Sequence, residues 1–259
     1  GNGKSFSDIG LAAGIAATDW SWSALMNDFD NDGNKDIFIT SGIVKRPVDL
    51  DYIKFVSDLA HKQSKLKTST YDDLVYEKSP DGSSYCYMYT GDGAGGFKDR
   101  SKEWGMSDHK GFYNGASYAD LDNDGDLDLV VNALNKPAVI TRNNTTGRNY
   151  LSIVFEGEGF NKNGIGAKAY LFSKGKLQYQ QLMLTRGFQS SVEARLHFGL
   201  DSTAVIDSLL IVWPNQKYQV LKNIKTNQQL EVKQADANEV FSYDAIFPAP
   251  KNLFTDITP

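Results

Sequence analysis

Short apolar runs alternate with polar turns along most of the chain, a pattern typical of β-strands. In the first half, two such runs begin on the last residue of an aspartate-rich stretch, DIFIT at 36–40 and DLVV at 128–131. The residues before each stretch, SALMNDFD and ASYADLD, also favour strands. The first half is therefore predicted to contain units of strand, acidic turn and strand, followed by glycine-rich turns such as GDGAGGF at 91–97.

This unit occurs twice with matched spacing. In each copy a Phe-x-Asp sequence is followed by a glycine eight residues after the Phe, and an aromatic residue stands eight residues before the acidic stretch. The positions are Phe6, Asp8, Gly14 and Trp20 in the first copy and Phe97, Asp99, Gly105 and Phe112 in the second. Repeated small antiparallel units of this kind predict propeller blades or another repetitive β architecture. Phe254 and Asp256 repeat the opening once more, which predicts that a further unit starts there and that remaining blades belong to a longer chain.

The two copies are separated by more residues than a blade needs. The first aspartates, Asp28 and Asp120, are 92 positions apart (120 − 28), against about 40–50 for familiar blade repeats. The surplus lies at about 44–80, where one helix is predicted, preceded by Pro47. Its apolar stripe is formed by Leu50, Ile53, Val56 and Leu59. This inserted helix is interpreted as a cover over a blade edge, and a partner-binding helix is the alternative.

The second half has a different pattern, without acidic turns. Its apolar and alternating runs predict strands at 150–157, 167–173, 177–184, 194–200, 207–214 and 228–234. So many strands in so short a segment predict a small antiparallel sandwich or barrel.

Both aspartate-rich stretches follow the pattern D-x-D-x-D-G-x-x-D. Alternating carboxylates on a tight turn can converge on one point, and the glycine permits the bend. Hard oxygen ligands in that number suit Ca²⁺, with a backbone carbonyl from the seventh position as a further ligand. The predicted ligands of two calcium sites are Asp28, Asp30, Asp32, Asn34 and Asp36, and Asp120, Asp122, Asp124, Asp126 and Asp128.

An EF-hand and a magnesium site both fit these turns less well. An EF-hand needs a bidentate Glu at position 12 between helices, whereas Ile39 and Val131 occupy that position inside predicted strands. Mg²⁺ keeps its waters and rarely takes a cage made only of protein ligands. A polar turn held by Asx-type hydrogen bonds remains the alternative to a metal site.

Composition and charge narrow the classes of partner. The chain has 259 residues, 41% of them hydrophobic, and a formal net charge of −5. No basic stripe is present, which argues against nucleic acid or an anionic membrane as the main partner. No apolar run reaches the length of a membrane span. The single cysteine, Cys86, excludes a disulfide within the chain and is predicted to be a buried thiol.

The first half resembles FG-GAP/VCBS repeats, the calcium-binding blades of integrin-α-type β-propellers. The resemblance rests on FSDIGLAAGI…WSWSALMNDFDNDGNKDIFIT and FKDRSKEWGM…FYNGASYADLDNDGDLDLVV. It implies the calcium-ligand roles for the aspartates named above. It also implies that further blades are needed to close a propeller.

The second half resembles the ASPIC/UnbV domain, which follows FG-GAP repeats in the cartilage acidic protein family and in many bacterial surface proteins. The matching stretches are NGIGAKAYL at 163–171, RGFQSSVEARLHFGL at 186–200 and VIDSLLIVWPNQ at 205–216. Asp201 and Gln216 stand at turn positions where this domain usually has glycine.

No catalytic constellation emerges from the sequence. His61, His109 and His197 are scattered and accompany no nucleophile elbow, zinc motif or phosphate loop. Trp20 and Trp22 alternate beside the first acidic turn, where core packing is favoured over stacking on sugars. The chain is therefore not expected to be an enzyme.

Together these observations predict an all-β chain that contains part of a β-propeller followed by a small antiparallel β-sandwich or barrel. Residues 1–147 are expected to form two calcium-binding β-propeller blades with one inserted helix, 148–236 a UnbV-type β domain, and 237–259 a linker and the start of a further repeat. The expected function is a non-catalytic, calcium-stabilised scaffold that binds a protein or glycan partner at the cell surface. The alternative is an accessory subunit of a surface enzyme or nutrient-uptake complex. The expected location is the periplasm, the outer-membrane surface or the exterior.

Overall fold

The computed structural model of the protein describes residues 6–61 and 68–247. Strands predominate in these ranges, which confirms the prediction of a mostly β protein with antiparallel sheets. No helix in this part of the chain is both long enough and apolar enough to cross a membrane. The further repeat predicted at Phe254 and Asp256 lies outside the described residues.

The chain divides into two compact units. The first is formed by the residues up to Arg148 together with Leu184–Glu193, and the second by Asn149–Met183 and the residues from Ala194 onward. The segment Leu184–Glu193 interrupts the sequence of the second unit and packs in the first. There the backbone N–H of Phe188 donates to Ser23 Oγ at 2.7 Å.

The strands of the first unit form antiparallel sheets with short connections. They are β1 (Ser21–Asn27), β2 (Asp36–Ser41), β3 (Ile43–Lys45), β4 (Asp81–Gly82), β5 (Tyr87–Gly91), β6 (Phe97–Asp99), β7 (Tyr113–Ala119), β8 (Asp128–Ala133) and β9 (Val139–Thr141). One sheet has the order β1-β2-β5-β6 and another the order β7-β8-β9. Both are meanders of the kind that propeller blades use. We call them the first and the second sheet.

The two sheets share their register next to the acidic stretches. Asn27 pairs with Asp36 in the first sheet, and Ala119 pairs with Asp128 in the second. The Phe-x-Asp sequence of the second copy forms β6, which pairs with β5 and so belongs to the first sheet. The second sequence repeat therefore begins with a strand of the first sheet, one strand before the second sheet starts. The reason is that the glycine-rich turn after β5 reverses the chain, so that β6 pairs with β5.

The segment inserted after β2 contains two helices where the sequence predicts one. They are α1 (Leu50–Ala60) and α2 (Thr68–Lys78), and β3 pairs with β4 at the base of the insertion. The side chain of Asp49 caps α1 by accepting from the N–H of Tyr52 at 2.9 Å. The Tyr52 hydroxyl donates to the carbonyl of Val75 in α2 at 3.1 Å, so the two helices contact each other.

The predicted stripe on α1 is only partly covered. Leu50 and Ile53 are 80% and 48% exposed, whereas Val56 and Leu59 are half-buried. The apolar pattern of the sequence does not predict α2, because its apolar residues keep helical spacing over little more than one turn.

The second unit contains two sheets. Its strands are β10 (Asn149–Glu156), β11 (Lys168–Ser173), β12 (Lys176–Gln181), β13 (Arg195–Asp201), β14 (Val205–Val212), β15 (Lys217–Lys225), β16 (Gln228–Lys233) and β17 (Glu239–Val240), followed by the one-turn helix α3 (Tyr243–Ile246). One sheet has the order β12-β11-β14-β15-β17 and the other β13-β10-β16. β10 and β16 are parallel, which departs from the purely antiparallel expectation.

β15 and the short β17 are the strands of the second unit that the sequence does not predict. β15 is the longer of the two. Lysines and polar residues interrupt its apolar positions, and it is held by a long antiparallel ladder with β14 that runs from Val205–Lys225 to Val212–Tyr218. Strand pairing, more than its own apolar pattern, determines this element.

The core of the second unit is apolar and closely packed. Leu151, Ile153, Phe198, Ile206, Leu209, Ile211 and Trp213 are among its fully or nearly fully buried residues. Phe155 lies edge-on to Trp213 with ring centroids 5.4 Å apart. Asp201 and Gln216 both have positive φ, 47° and 63°. These are the positions where the ASPIC/UnbV resemblance leads one to expect glycine, so non-glycine residues adopt the left-handed backbone there.

Candidate metal centre

The first acidic turn, residues 28–36, connects β1 to β2. Asn31 and Gly33 have φ of 58° and 90°, which lets the chain reverse direction within a few residues. As a result, carboxylate oxygens of Asp28, Asp30 and Asp36 lie within 4.8 Å of one another. Three of the five predicted ligands of this turn are therefore brought together.

Backbone amides hold two of these carboxylates in place. The oxygens of Asp28 accept from the N–H groups of Asp32 at 3.0 Å and Gly33 at 2.8 Å. Those of Asp36 accept from the N–H groups of Phe29 at 2.8 Å and Gly91 at 3.1 Å. Asp36 thus connects the start of the turn to the end of β5.

The second acidic turn, residues 120–128, connects β7 to β8 and repeats this backbone. Asn123 and Gly125 take the positive φ values, 60° and 93°. Asp120 accepts from the N–H groups of Asp124 at 3.1 Å and Gly125 at 3.2 Å, as Asp28 does in the first turn. Carboxylate oxygens of Asp120, Asp122 and Asp124 lie within 4.8 Å of one another.

Asp32 and Asp128 are predicted ligands that lie outside these two clusters of three carboxylates. Asp32 accepts from the backbone N–H of Asn34 at 2.7 Å and from its side-chain amide at 3.0 Å, so these two residues bind each other. Asp128 accepts from the N–H groups of Leu121 and Asn143, at 2.9 and 2.8 Å. Asp128 is therefore the counterpart of Asp36 as a connector between the turn and the end of the sheet.

In the first turn, burial makes it unfavourable for the carboxylates to be ionised when no cation is bound. Asp28 and Asp36 are 1% and 0% exposed. Burial raises the pKa of Asp28 above its ordinary value and that of Asp36 to about 7, and the neighbouring carboxylates oppose ionisation further. Two unit charges 4.8 Å apart repel by about 3 kcal/mol at an effective dielectric constant of about 20. A bound cation would remove this repulsion.

Asp126 in the second turn has a buried oxygen without a partner. One carboxylate oxygen accepts from the N–H of Thr145 at 2.9 Å. The other, Oδ1, is buried and has no hydrogen-bond partner among the described residues. Burial and the nearby charge of Asp124 raise the pKa of Asp126. A bound cation would give this buried oxygen the partner that it does not have among the described protein atoms.

Two arginines that sequence reasoning missed supply positive charge to the turns. Arg148 pairs with Asp30 at 2.8 Å. Arg142 pairs with Asp122 at 3.0 Å and lies 3.7 Å from Asp124. Both stand in the bridging segment, residues 142–148, whose polar sequence RNNTTGR has only its basic ends as a sign of this role.

The bridging segment also connects the two turns. The side-chain amide of Asn143 donates to the carbonyl of Phe29 in the first turn at 2.6 Å and to that of Leu127 in the second at 3.2 Å. In addition, the amide of Asn31 donates to the carbonyl of Gly125 at 3.0 Å. The two acidic turns are thus parts of one hydrogen-bonded structure.

The donor set fits a calcium ion better than a transition metal. The converging atoms are carboxylate oxygens held by backbone amides, and neither cluster contains histidine or cysteine. Hard cations such as Ca²⁺ prefer these ligands and tolerate irregular geometry. Each cluster provides three carboxylates, with backbone carbonyls and water available to complete the six to eight ligands that Ca²⁺ takes.

Cys86, His197 and Trp22, which the sequence raised as candidates, are packed against or hydrogen-bonded to other parts of the protein. Cys86 is buried, as predicted, and burial raises the pKa of its thiol to about 12. His197 is 3% exposed and its ring stacks on Tyr150. Trp22 is 36% exposed, donates its indole N–H to the carbonyl of Gly42 at 2.8 Å, and contacts Phe188. Neither the thiol nor the imidazole belongs to a carboxylate cluster.

Two protein-family models match separate parts of the chain. Residues 70–131 match the family model of the FG-GAP-like repeat, and residues 157–239 match that of ASPIC and UnbV. The first range contains the whole second acidic turn, and the first acidic turn lies outside it. These matches confirm the resemblance to FG-GAP repeat proteins with an ASPIC/UnbV domain. No curated protein matches the chain.

Proposed function

We propose that the chain is part of a calcium-stabilised, non-catalytic scaffold that binds a protein or glycan outside the cytoplasm. The observation that carries the calcium role is the repetition of one turn geometry. Asp28 and Asp120 accept from the same two backbone positions in their turns, and each heads a cluster of three carboxylates. An FG-GAP-like match supports a scaffold that uses repeated units for interaction.

Calcium would act here through folding energy. A cation at each cluster neutralises buried carboxylates and fixes the connection between two strands, so its binding energy stabilises the sheet. Millimolar calcium outside the cell is sufficient for sites of modest affinity. The two sheets are proposed to be blades of a propeller that further blades complete.

The test is a thermal melt of metal-stripped protein with increasing CaCl₂, with MgCl₂ at equal ionic strength for comparison. We expect Ca²⁺ at one hundred times its Kd to stabilise the first unit by about 2.7 kcal/mol per site. In the variants Asp28→Asn and Asp120→Asn the response should shrink, since each weakens one cluster. An unchanged melt after exhaustive chelation would refute the calcium role.

Asp92→Asn is the matched control for the alternative of a polar turn. Asp92 also lies in a glycine-rich turn and accepts from the N–H groups of Ala94 at 2.7 Å and Gly96 at 2.9 Å. It belongs to neither carboxylate cluster. If the acidic turns were held by Asx-type bonds alone, all three Asp→Asn variants would lower stability alike and without dependence on calcium.

A further inference from the structure

A cleft lies between the two sheets of the first unit, beside the acidic turns. Its volume is about 600 Å³, which is in the range of small-molecule sites. The first sheet and its connections contribute Met88 and Trp104, the second contributes Leu129, and the bridging segment forms a polar wall. Both sheets and the segment that joins their turns are therefore needed to form it.

The floor of the cleft is apolar and partly aromatic. Phe29, Met88, Leu127 and Leu129 are buried there. Trp104 is half-buried and packs against the same core. A half-buried tryptophan at the edge of a cleft offers a flat face against which an apolar ring surface can stack.

Each described charged side chain that lines the cleft is already paired. Arg148 pairs with Asp30, Arg142 pairs with carboxylates of the second turn, and Glu103 pairs with Arg100. The ionic groups of the cleft are therefore compensated within the protein. Because each of these groups already has a partner of opposite charge, they offer a charged ligand little net attraction, so the cleft favours a neutral ligand.

The polar wall offers amide and hydroxyl groups. Asn144 and Thr146 line the cleft and are exposed. Neutral groups of this kind donate and accept hydrogen bonds without adding charge. A ligand for this cleft thus combines a flat apolar face with hydroxyl groups and has no net charge.

From these features we propose that the cleft binds a neutral saccharide, with one ring stacked on Trp104 and its hydroxyl groups bonded to Asn144 and Thr146. The inference rests on the proposed function as a binding scaffold and deepens it by naming the site and the ligand class. Phe29 and Asp30 of the first acidic turn line the cleft. Saccharide binding in the cleft nevertheless does not depend on calcium being the metal that this turn binds.

The test uses the full chain against a panel of immobilised neutral and anionic oligosaccharides, followed by calorimetry with any neutral hit. Trp104→Ala should weaken binding by about tenfold. Thr146→Val keeps the side-chain shape, removes one hydroxyl group, and should weaken binding by about threefold. Trp20→Ala is the matched control, because Trp20 is 37% exposed and does not line the cleft.

Binding of neutral members that both cleft variants weaken and the control does not would support the proposal. It would be overturned if no neutral member bound, if only anionic members bound, or if Trp104→Ala and Thr146→Val both bound as the unmodified chain does. The variant at Thr146 keeps the test decisive should Trp104→Ala fold poorly. A melt with and without chelator on the same protein reports separately on the calcium role.

Discussion

Asn143 is predicted to be the residue on which the arrangement of both acidic turns depends most. Its side-chain amide donates to the carbonyls of Phe29 at 2.6 Å and Leu127 at 3.2 Å. Its Oδ1 accepts from the backbone N–H of Thr145 at 3.1 Å and from the Thr145 hydroxyl at 2.9 Å. Asn143→Ala removes all of these bonds and leaves two carbonyls without this donor.

The magnitude follows from these contacts. Each intramolecular hydrogen bond contributes about 0.5–1.5 kcal/mol net, and a buried group left unpaired costs about 1–3 kcal/mol. Because the bonds share one side chain, their contributions do not add fully. We expect Asn143→Ala to lower the free energy of unfolding of the first unit by about 2–4 kcal/mol. The neighbouring Asn144→Ala should cost less than about 0.5 kcal/mol, because exposed side chains away from such networks rarely matter.

The assay is urea unfolding followed by tryptophan fluorescence. Trp213 lies in the second unit, so it is replaced by Phe in every protein compared, and the remaining signal reports on the first unit. A shift of the midpoint without a change in slope isolates the change in stability. Hydrogen exchange of peptides from both acidic turns shows whether both lose protection. Equal midpoints for Asn143→Ala and Asn144→Ala would refute the bridging role.

Three further predictions concern other parts of the chain. Gln216→Gly should raise the melting temperature of the second unit by about 2–4 °C, because φ of 63° strains a non-glycine residue; a lowered melting temperature in calorimetry would contradict this. Gly42→Ala should cost about 2 kcal/mol more than Gly95→Ala in urea unfolding. Both glycines have positive φ, but a Cβ at Gly42 would lie 2.4 Å from the carbonyl oxygen of Gly111, whereas nothing lies within 4 Å at Gly95. Cys86 should resist iodoacetamide at pH 9 in the native protein and react after unfolding, since burial raises the pKa of its thiol to about 12; rapid native labelling by mass spectrometry would show that the thiol is accessible.

Local sequence was sufficient for the acidic turns and the strands beside them. Asp36 and Asp128 begin strands as predicted, and the asparagine and glycine of each turn take the left-handed backbone that those residue types allow. The resemblance to the ASPIC/UnbV domain identified Asp201 and Gln216 as unusual turn positions, and both have positive φ. Such features depend on neighbouring residues only, so a repeated pattern predicts them.

Strand pairing and packing in the folded chain decided most of what the sequence could not show. β6 joins the first sheet, β15 is held by β14, and Leu184–Glu193 packs in the first unit. No local pattern specifies these partners, since each is chosen by hydrogen bonding and packing that form only in the folded chain.

The candidate metal centre shows the same division at the level of single residues. The sequence by itself determined which carboxylates could converge, because their spacing and the turn glycine set the local geometry. The tertiary structure decided which of them do converge, and it placed Asn143 against Phe29, 114 residues away along the chain, and Arg148 against Asp30, 118 residues away. Contacts over such separations arise from the packing of two sheets, so the bridging segment became evident only in the fold.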